Sequence, residues 1–161
     1  MDKSIEVLDW SENLVTGIPE IDEQHKRLVY LVNVLATNVA NQPDINYLNY
    51  IFTELAEYAM YHFQTEENVW HEFLAHDPWE TRHRMEHKRF VSIMIRLEDV
   101  ENSKPLGAVL EDILSFLTHW LKSHILESDK QLAKVVLAVQ SGMSLEQAKL
   151  LAESDKSKPG A

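Results

Sequence analysis

The segment PEIDEQHKRLVYLVNVL, residues 19–35, carries the pattern that decides the fold. Its proline suits the first position of a helix, where the missing backbone N–H would have no intrahelical partner. Apolar residues then recur at helical spacing, at Ile21, Leu28, Leu31, Val32 and Leu35. We therefore predict a helix over residues 19–40, with His25 on it.

Three more segments have the spacing of long helices, over about 45–74, 80–101 and 106–139. Turn-forming residues separate the helices at 41–44, 76–78 and 102–105. Short connections between long helices imply antiparallel neighbours. The predicted fold class is all-α, an antiparallel up-down-up-down four-helix bundle.

Both ends of the chain add to this bundle. Residues 1–18 form an N-terminal arm, which we expect to pack across the helices through Trp10, Leu14, Val15 and Ile18. Ser144-Leu145-Glu146-Gln147 has the sequence of a capping box, and it predicts a short C-terminal helix to about residue 153. Residues 154–161 are polar, and we expect them to be disordered. The predicted domains are a bundle at 1–140 and an extension, short helix and polar tail, at 141–161.

Composition limits the class of function. The 161 residues carry a formal net charge of −11 and contain no cysteine. An acidic surface repels phosphate and anionic lipid, so we expect no nucleic-acid partner and no membrane insertion. Thiolate metal sites and disulfides are excluded, and any metal must be held by His, Asp, Glu or Met. No signal peptide and no apolar run of about 20 residues is present, so we expect a cytoplasmic protein.

Potential metal ligands come in pairs along the helices. His62 and Glu66 are four residues apart, and so are His83 and His87, so each pair shares a helix face. His124 and Asp129 are five apart, which turns about 140° too far in an ideal α-helix. A local widening of the helix would help to bring these two together.

Depth in the bundle gives a stronger signal than spacing. His25, His62, His87 and His124 all lie about 25–30 Å from one end of the predicted bundle, since each helical residue advances 1.5 Å. Every helix therefore brings a histidine to the same layer. Five imidazoles and two carboxylates in one layer suit a pair of borderline transition metals, and iron fits that inventory. His71, His76 and His119 lie off this layer or face, and we interpret them as surface or structural residues.

Each of these histidines taken singly also has a structural interpretation. His62 could be a packed core histidine, and His83 and His87 could lie on an exposed basic face. The joint arrangement favours the metal centre instead.

Four stretches in order carry a family resemblance: GIPEIDEQHK at 17–26, HFQTEE at 62–67, HRMEHKRF at 83–90, and WLKSHI at 120–125 followed by Asp129-Lys130. The chain resembles the hemerythrin family, in particular the bacterial hemerythrins, from about Trp10 to Leu132. The resemblance implies that His83, His87 and His124 hold one iron and that His25 and His62 hold the other. It also implies that Glu66 and Asp129 bridge the two ions beside an oxo or hydroxo group.

The resemblance further implies that dioxygen binds at an open position of the iron with two histidines. Leu28, Phe63, Trp120 and Leu121 would then form an apolar wall around that position. An apolar residue at helical spacing is usually part of the core, so Phe63, Trp120 and Leu121 also have a purely structural interpretation.

Three functions compete at this point. The first is reversible dioxygen binding for storage, delivery or buffering, which is not an enzymatic role. The second is an oxygen or redox sensor, in which residues 145–161 lead to an output domain or a partner. The third is a di-iron enzyme of oxidative or nitrosative stress. Ferritin-like oxidases need Glu-x-x-His on two helices, and only Glu80-x-x-His83 is present.

Overall fold

Helices dominate the residues that the computed structural model describes, which are 7–41, 44–99 and 106–156. The α-helices are α1 (Pro19–Ala40), α2 (Ile45–Leu74), α3 (Pro78–Asp99), α4 (Leu106–His124), α5 (Lys130–Gln140) and α6 (Leu145–Lys156). A 3-10 turn at Glu12–Leu14 precedes α1, and a π-helical turn at Ile125–Asp129 joins α4 to α5. These ranges contain no strand, and none of their helices combines the length and apolarity needed to cross a membrane. The all-α prediction is confirmed.

Helix neighbours follow the order of the chain. The α1 helix packs on α2 and α4, and α3 also packs on α2 and α4. This is the arrangement of the predicted four-helix bundle. The turn at 102–105, the predicted end of the third helix at 101, and residues 42–43 lie outside the described residues.

The third helix begins at Pro78, two residues before the predicted start. The sequence pattern predicts a break at Pro78, but this residue occupies the first turn of α3. Asp77 caps this helix, because its Oδ1 accepts a hydrogen bond from the Trp79 backbone N–H at 2.9 Å. Proline needs no intrahelical partner at such a position, so it starts α3 and does not terminate α2.

The fourth predicted helix is not one continuous α-helix over 106–139. Residues 125–129 form a π-helical turn, which adds one residue to the turn between His124 and Asp129. The expected widening is therefore present, and it allows a five-residue spacing to place both side chains on one face.

Two apolar clusters lie on either side of the layer of potential ligands. The first includes Leu35, Phe63 and Leu121, and the second includes Trp70 and Val135. Trp70 is 1% exposed and Val135 is fully buried. Because both clusters exclude water, the polar side chains between them lie in a medium of low dielectric constant.

The N-terminal arm packs on the bundle as predicted for Trp10, Leu14 and Ile18, while Val15 is half-buried. Leu8, which the sequence did not single out, is also buried. The Asn33 side chain fastens this part of the arm, since its Nδ2 donates to the Leu8 carbonyl at 2.8 Å.

Asp22 fastens the end of the arm that leads into α1. Its Oδ1 accepts hydrogen bonds from the Thr16 backbone N–H and hydroxyl, both at 2.8 Å. Gly17 follows with φ +94°, and a Cβ there would lie 2.9 Å from Leu137 Cδ1. Glycine is therefore the residue that fits this turn.

The C-terminal helix begins with the predicted capping box, in which Gln147 N–H donates to Ser144 Oγ at 3.2 Å. The prediction of disorder from 154 onward is wrong for 154–156, which are helical, and residues 157–161 lie outside the described residues. Ala148 and Ala152 are buried in the second apolar cluster, where α6 packs against α5. The division of the chain at 140/141 stays a prediction.

Candidate metal centre

The bundle brings all seven predicted ligands into one buried layer. The α1 helix supplies one side chain, α2 and α3 supply two each, and the α4 end with its π-helical turn supplies the last two: His25, His62, Glu66, His83, His87, His124 and Asp129. The most exposed of them is His124 at 7%. Side chains that are remote in sequence thus meet at one place inside the protein.

Glu66 turns one carboxylate oxygen to each side of this layer. Its Oε1 lies 3.0 Å from His25 Nε2 and 2.8 Å from His62 Nε2. Its Oε2 lies 3.1 Å from His87 Nε2 and 3.7 Å from His83 Nε2. The carboxylate therefore stands between a pair of histidines and the remaining three.

Asp129 has the same relation to the two sides. Its Oδ2 lies 3.0 Å from His25 Nε2. Its Oδ1 lies 2.6 Å from His83 Nε2 and 3.1 Å from His124 Nε2. Two carboxylates thus span the same two sets of imidazoles, which is the arrangement that two bridged ions require.

The donor atoms form two groups that each suit one metal ion. His25, His62, Glu66 and Asp129 make the first group, and Glu66, His83, His87 and His124 make the second. Donors that meet at right angles on one ion, with bonds of about 2.1 Å, lie about 3 Å apart. Most of the distances above are close to that value.

Buried polar atoms without a hydrogen bond support this interpretation. Glu66 Oε2 and Asp129 Oδ2 have no well-aligned hydrogen-bond donor, although imidazole nitrogens lie 3.1 and 3.0 Å from them. A buried carboxylate oxygen without a hydrogen bond is costly. A cation between these oxygens and the rings would use their lone pairs, so the residues fit a metal pair.

Both carboxylates are held in the charged form. Burial raises the pKa of Asp129, but the charge and hydrogen bond of His124 outweigh it, and the pKa lies well below its usual range. Burial and the charge of Asp129 raise the pKa of Glu66, but His62 and His25 bring it well below its usual range. Two buried negative charges in one layer demand compensating positive charge.

The carboxylates raise the pKa of each of three histidine rings, but burial opposes this effect, and the net shift differs from ring to ring. Burial lowers the pKa of His25, but contacts with Asp129 and Glu66 raise it to about 9. Burial also lowers the pKa of His124, but Asp129 and Glu86 raise it to about 10. Burial dominates at His87 and lowers its pKa. The two buried carboxylates thus need nearby positive charge, which either protonated histidines or metal ions can provide.

Two polar residues outside the predicted set orient the histidine rings. Gln24 Oε1 lies 2.8 Å from His62 Nδ1, and Glu86 Oε2 lies 2.9 Å from His124 Nδ1. Each immediately precedes a ligand position in sequence but contacts a ligand on another helix. The sequence patterns singled out neither residue. Helix geometry offers a signal for them: one residue turns about 100°, so the residue before an inward-facing histidine faces a neighbouring helix.

An apolar cavity of about 200 Å³ adjoins the centre. Its wall contains all four residues predicted to surround the oxygen position: Leu28, Phe63, Trp120 and Leu121. Phe63 stacks on His87 with ring centroids 3.9 Å apart, and Trp120 stacks on His124 at 4.3 Å. The cavity continues to Met60 and Ile95, which are 55% and 53% exposed. The sequence did not indicate this extension between α2 and α3.

The three remaining histidines lie outside both groups of ligands. His71 Nδ1 lies 2.9 Å from Glu80 Oε2, and the His76 ring centroid lies 5.9 Å from that of His71. His119 is exposed. Glu80, the one carboxylate in a Glu-x-x-His sequence, is thus engaged with His71 and belongs to neither group.

Comparisons with known proteins agree with this geometry. The family model described as Hemerythrin HHE cation binding domain matches residues 16–136, a range that contains every ligand position. A bacteriohemerythrin from Clostridium acetobutylicum is 30% identical over 127 residues, which are 76% of this chain and 95% of that protein.

Two further relatives show similar coverage. A bacteriohemerythrin from Pseudomonas paraeruginosa is 29% identical over 141 residues, 85% of this chain and 84% of that protein. A hemerythrin-like protein from Naegleria gruberi is 27% identical over 121 residues, 75% of this chain and 87% of that protein. The similarity therefore covers the bundle and its centre.

Proposed function

This chain belongs to the hemerythrin family, and we propose that it is a non-haem di-iron protein that binds dioxygen reversibly. The observation that carries the proposal is the position of the two carboxylates. Glu66 and Asp129 each direct one oxygen to the His25 side and the other to the three-histidine side. A single ion would use neither carboxylate in this way.

The donor set favours iron for both positions. Imidazole and carboxylate together suit borderline transition metals, whereas structural zinc is usually satisfied by four ligands. We also propose an oxo or hydroxo group between the two ions. Held by these residues, a ferrous pair would supply the two electrons that dioxygen takes up on binding and gives back on release.

The chain's own residues keep the binding position dry. Leu28, Phe63 and Leu121 are each no more than 7% exposed, and no residue that lines the cavity has an ionisable side chain. An apolar wall of this kind excludes water and supplies no acid that could protonate bound dioxygen. These features favour reversible binding over catalysis, and we propose storage, delivery or buffering of oxygen as the role.

The main enzymatic alternative finds little support in the contacts. Ferritin-like centres take carboxylates from Glu-x-x-His on two helices. Glu80 is held by His71 at 2.9 Å and by Arg84 at 3.9 Å, outside both groups of ligands. Among the described residues, the two donor groups contain five histidines and two carboxylates, which is not the carboxylate-rich donor set that such oxidases use.

The test is a spectrum of anaerobically loaded protein. We expect two ferrous ions per chain, new charge-transfer absorption when oxygen is admitted, and loss of that absorption under argon over repeated cycles. A Glu66→Ala variant should take up less iron and show no reversible change. Wild-type protein with two irons and an unchanged spectrum in air would contradict the proposal, and so would a change that argon never reverses.

A further inference from the structure

The five histidines of the centre differ in what their outer ring nitrogen contacts. His62 Nδ1 meets the neutral amide of Gln24 at 2.8 Å, and His124 Nδ1 meets the carboxylate of Glu86 at 2.9 Å. The Nδ1 atoms of His25, His83 and His87 are buried and have no hydrogen-bond partner. Glu86 is therefore the one charged group that hydrogen-bonds a ligand histidine from outside the centre, among the residues described.

The contact with Glu86 fixes the tautomer of His124. An ionised carboxylate can only accept a hydrogen bond, so the ring must donate through Nδ1. In the neutral ring Nε2 is then unprotonated, and its lone pair faces the centre, where it lies 3.1 Å from Asp129 Oδ1. A carboxylate in this position also increases the basicity of the imidazole as a ligand.

The His62 ring is also fixed by a hydrogen bond at Nδ1, but its partner, the Gln24 amide, is neutral. Gln24 Nε2 donates to Thr65 Oγ1 at 3.1 Å, and Thr65 Oγ1 donates to the Tyr61 carbonyl at 3.2 Å. Because the Gln24 amide nitrogen donates to Thr65, its oxygen, Oε1, faces His62 and accepts the hydrogen bond from His62 Nδ1. The two sides of the centre therefore have outer partners of similar geometry and different charge.

Glu86 also joins two elements of the bundle. It lies on α3, and besides His124 it hydrogen-bonds the side chain of Ser128 in the π-helical turn. His124 immediately precedes the turn that presents Asp129, and Ser128 lies within that turn. With a side chain that is 35% exposed, Glu86 faces a groove between α3 and the α4 end that also includes Arg82 and Arg89.

We propose that Glu86 is a positioning residue that fixes His124 and makes the ion on the three-histidine side the more tightly held and more electron-rich of the two. This inference rests on the proposed metal pair. Loss of such an outer carboxylate typically weakens metal affinity about 10–100-fold. The effect should fall on one ion of the pair, because Gln24 orients the other side.

Cobalt(II) is a suitable probe, since its absorption reports binding without any reaction with oxygen. Glu67 provides the matched control: its Oε1 lies 3.7 Å from His87 Nδ1, too far for a hydrogen bond. We expect wild type and Glu67→Ala to bind two cobalt ions with affinities within about twofold of each other. In Glu86→Ala one of the two should bind about 10–100-fold more weakly.

The conservative variant separates orientation from charge. Glu86→Gln can still accept the hydrogen bond from His124, so we expect it to recover most of the cobalt affinity. In the iron-loaded protein it should nevertheless raise the reduction potential, because a negative charge beside a ligand is lost, whereas Glu67→Gln should raise it less. A merely structural role would leave the potential unchanged.

The outcomes distinguish the two proposals. Wild type that takes up no cobalt would overturn the metal pair itself. Full loading of wild type with equal affinities in Glu86→Ala and Glu67→Ala would overturn only the role of Glu86. Equal potentials in Glu86→Gln and wild type would overturn the claim that its charge acts on the centre.

Discussion

His25 Nε2 on α1 lies 3.0 Å from Oδ2 of Asp129, the last residue of the π-helical turn. In an unbroken α-helix the five-residue step from His124 would turn Asp129 about 140° away from the ligand face. The π-helical turn therefore places the Asp129 carboxylate in contact with histidines on both sides of the centre, as the proposed second bridge requires.

Asp129→Asn tests this bridge. The substitution keeps the shape of the side chain and removes its charge, so we expect fewer than two metal ions per chain. Metal content after equilibration with iron or cobalt is the measurement. Glu127→Gln, in the same turn but outside both groups of ligands, should retain two ions. Equal metal content in the two variants would contradict a bridging role for Asp129.

The metal-free protein should lose stability at alkaline pH. The pKa values of His25 and His124 in the folded chain are about 9 and about 10, above the ordinary value of 6.5. Their contribution to stability is thus fully present below about pH 6.5 and is lost as the pH rises through 9 to 10. Thermal unfolding of the metal-free chain at pH 7, 8.5 and 10 should show a falling midpoint.

A His25→Gln variant is the control for that pH series, since it removes one of the two raised groups. Its midpoint should fall less steeply over the same range. A wild-type midpoint that stays constant or rises between pH 7 and 10 would show that protonated histidines do not compensate the buried carboxylates.

Leu121→Ala tests the apolar wall. Leu121 is 7% exposed and lines the cavity three residues before His124. Truncation should admit water, hasten autoxidation of the oxygenated protein several-fold and cost about 2–5 kcal/mol of stability. Leu117→Ala, one turn further from the ligands in the same cavity, should cost a similar stability with less effect on autoxidation. Equal autoxidation rates in the two variants would remove Leu121 from the wall.

The C-terminal helix offers a prediction about stability alone. Ala148 is fully buried against the second apolar cluster, so Ala148→Leu should overpack it and cost about 1–3 kcal/mol in urea unfolding. Leu150 on the same helix is 66% exposed, and Leu150→Ala should change stability by less than about 0.5 kcal/mol. Equal effects would mean that α6 does not pack as described.

Periodicity and depth predicted the helices and the layer of ligands because both follow from regular helix geometry. The sequence could not show the contacts that depend on side chains reaching between helices. Gln24 and Glu86 belong to this class, since each acts on a histidine of a different helix. The sequence pattern does not predict the start of α3 at Pro78, because proline after a helix usually indicates a break. In the structure Asp77 caps the next helix, and Pro78 occupies its first position.

The sharpest test of a bridged iron pair is anomalous diffraction from iron-loaded crystals at the iron absorption edge. We predict two peaks in the buried layer, one among His25, His62 and the carboxylates and one among His83, His87 and His124, with Glu66 and Asp129 contacting both. A single peak at full iron loading, or two peaks that share neither carboxylate, would contradict the bridged pair.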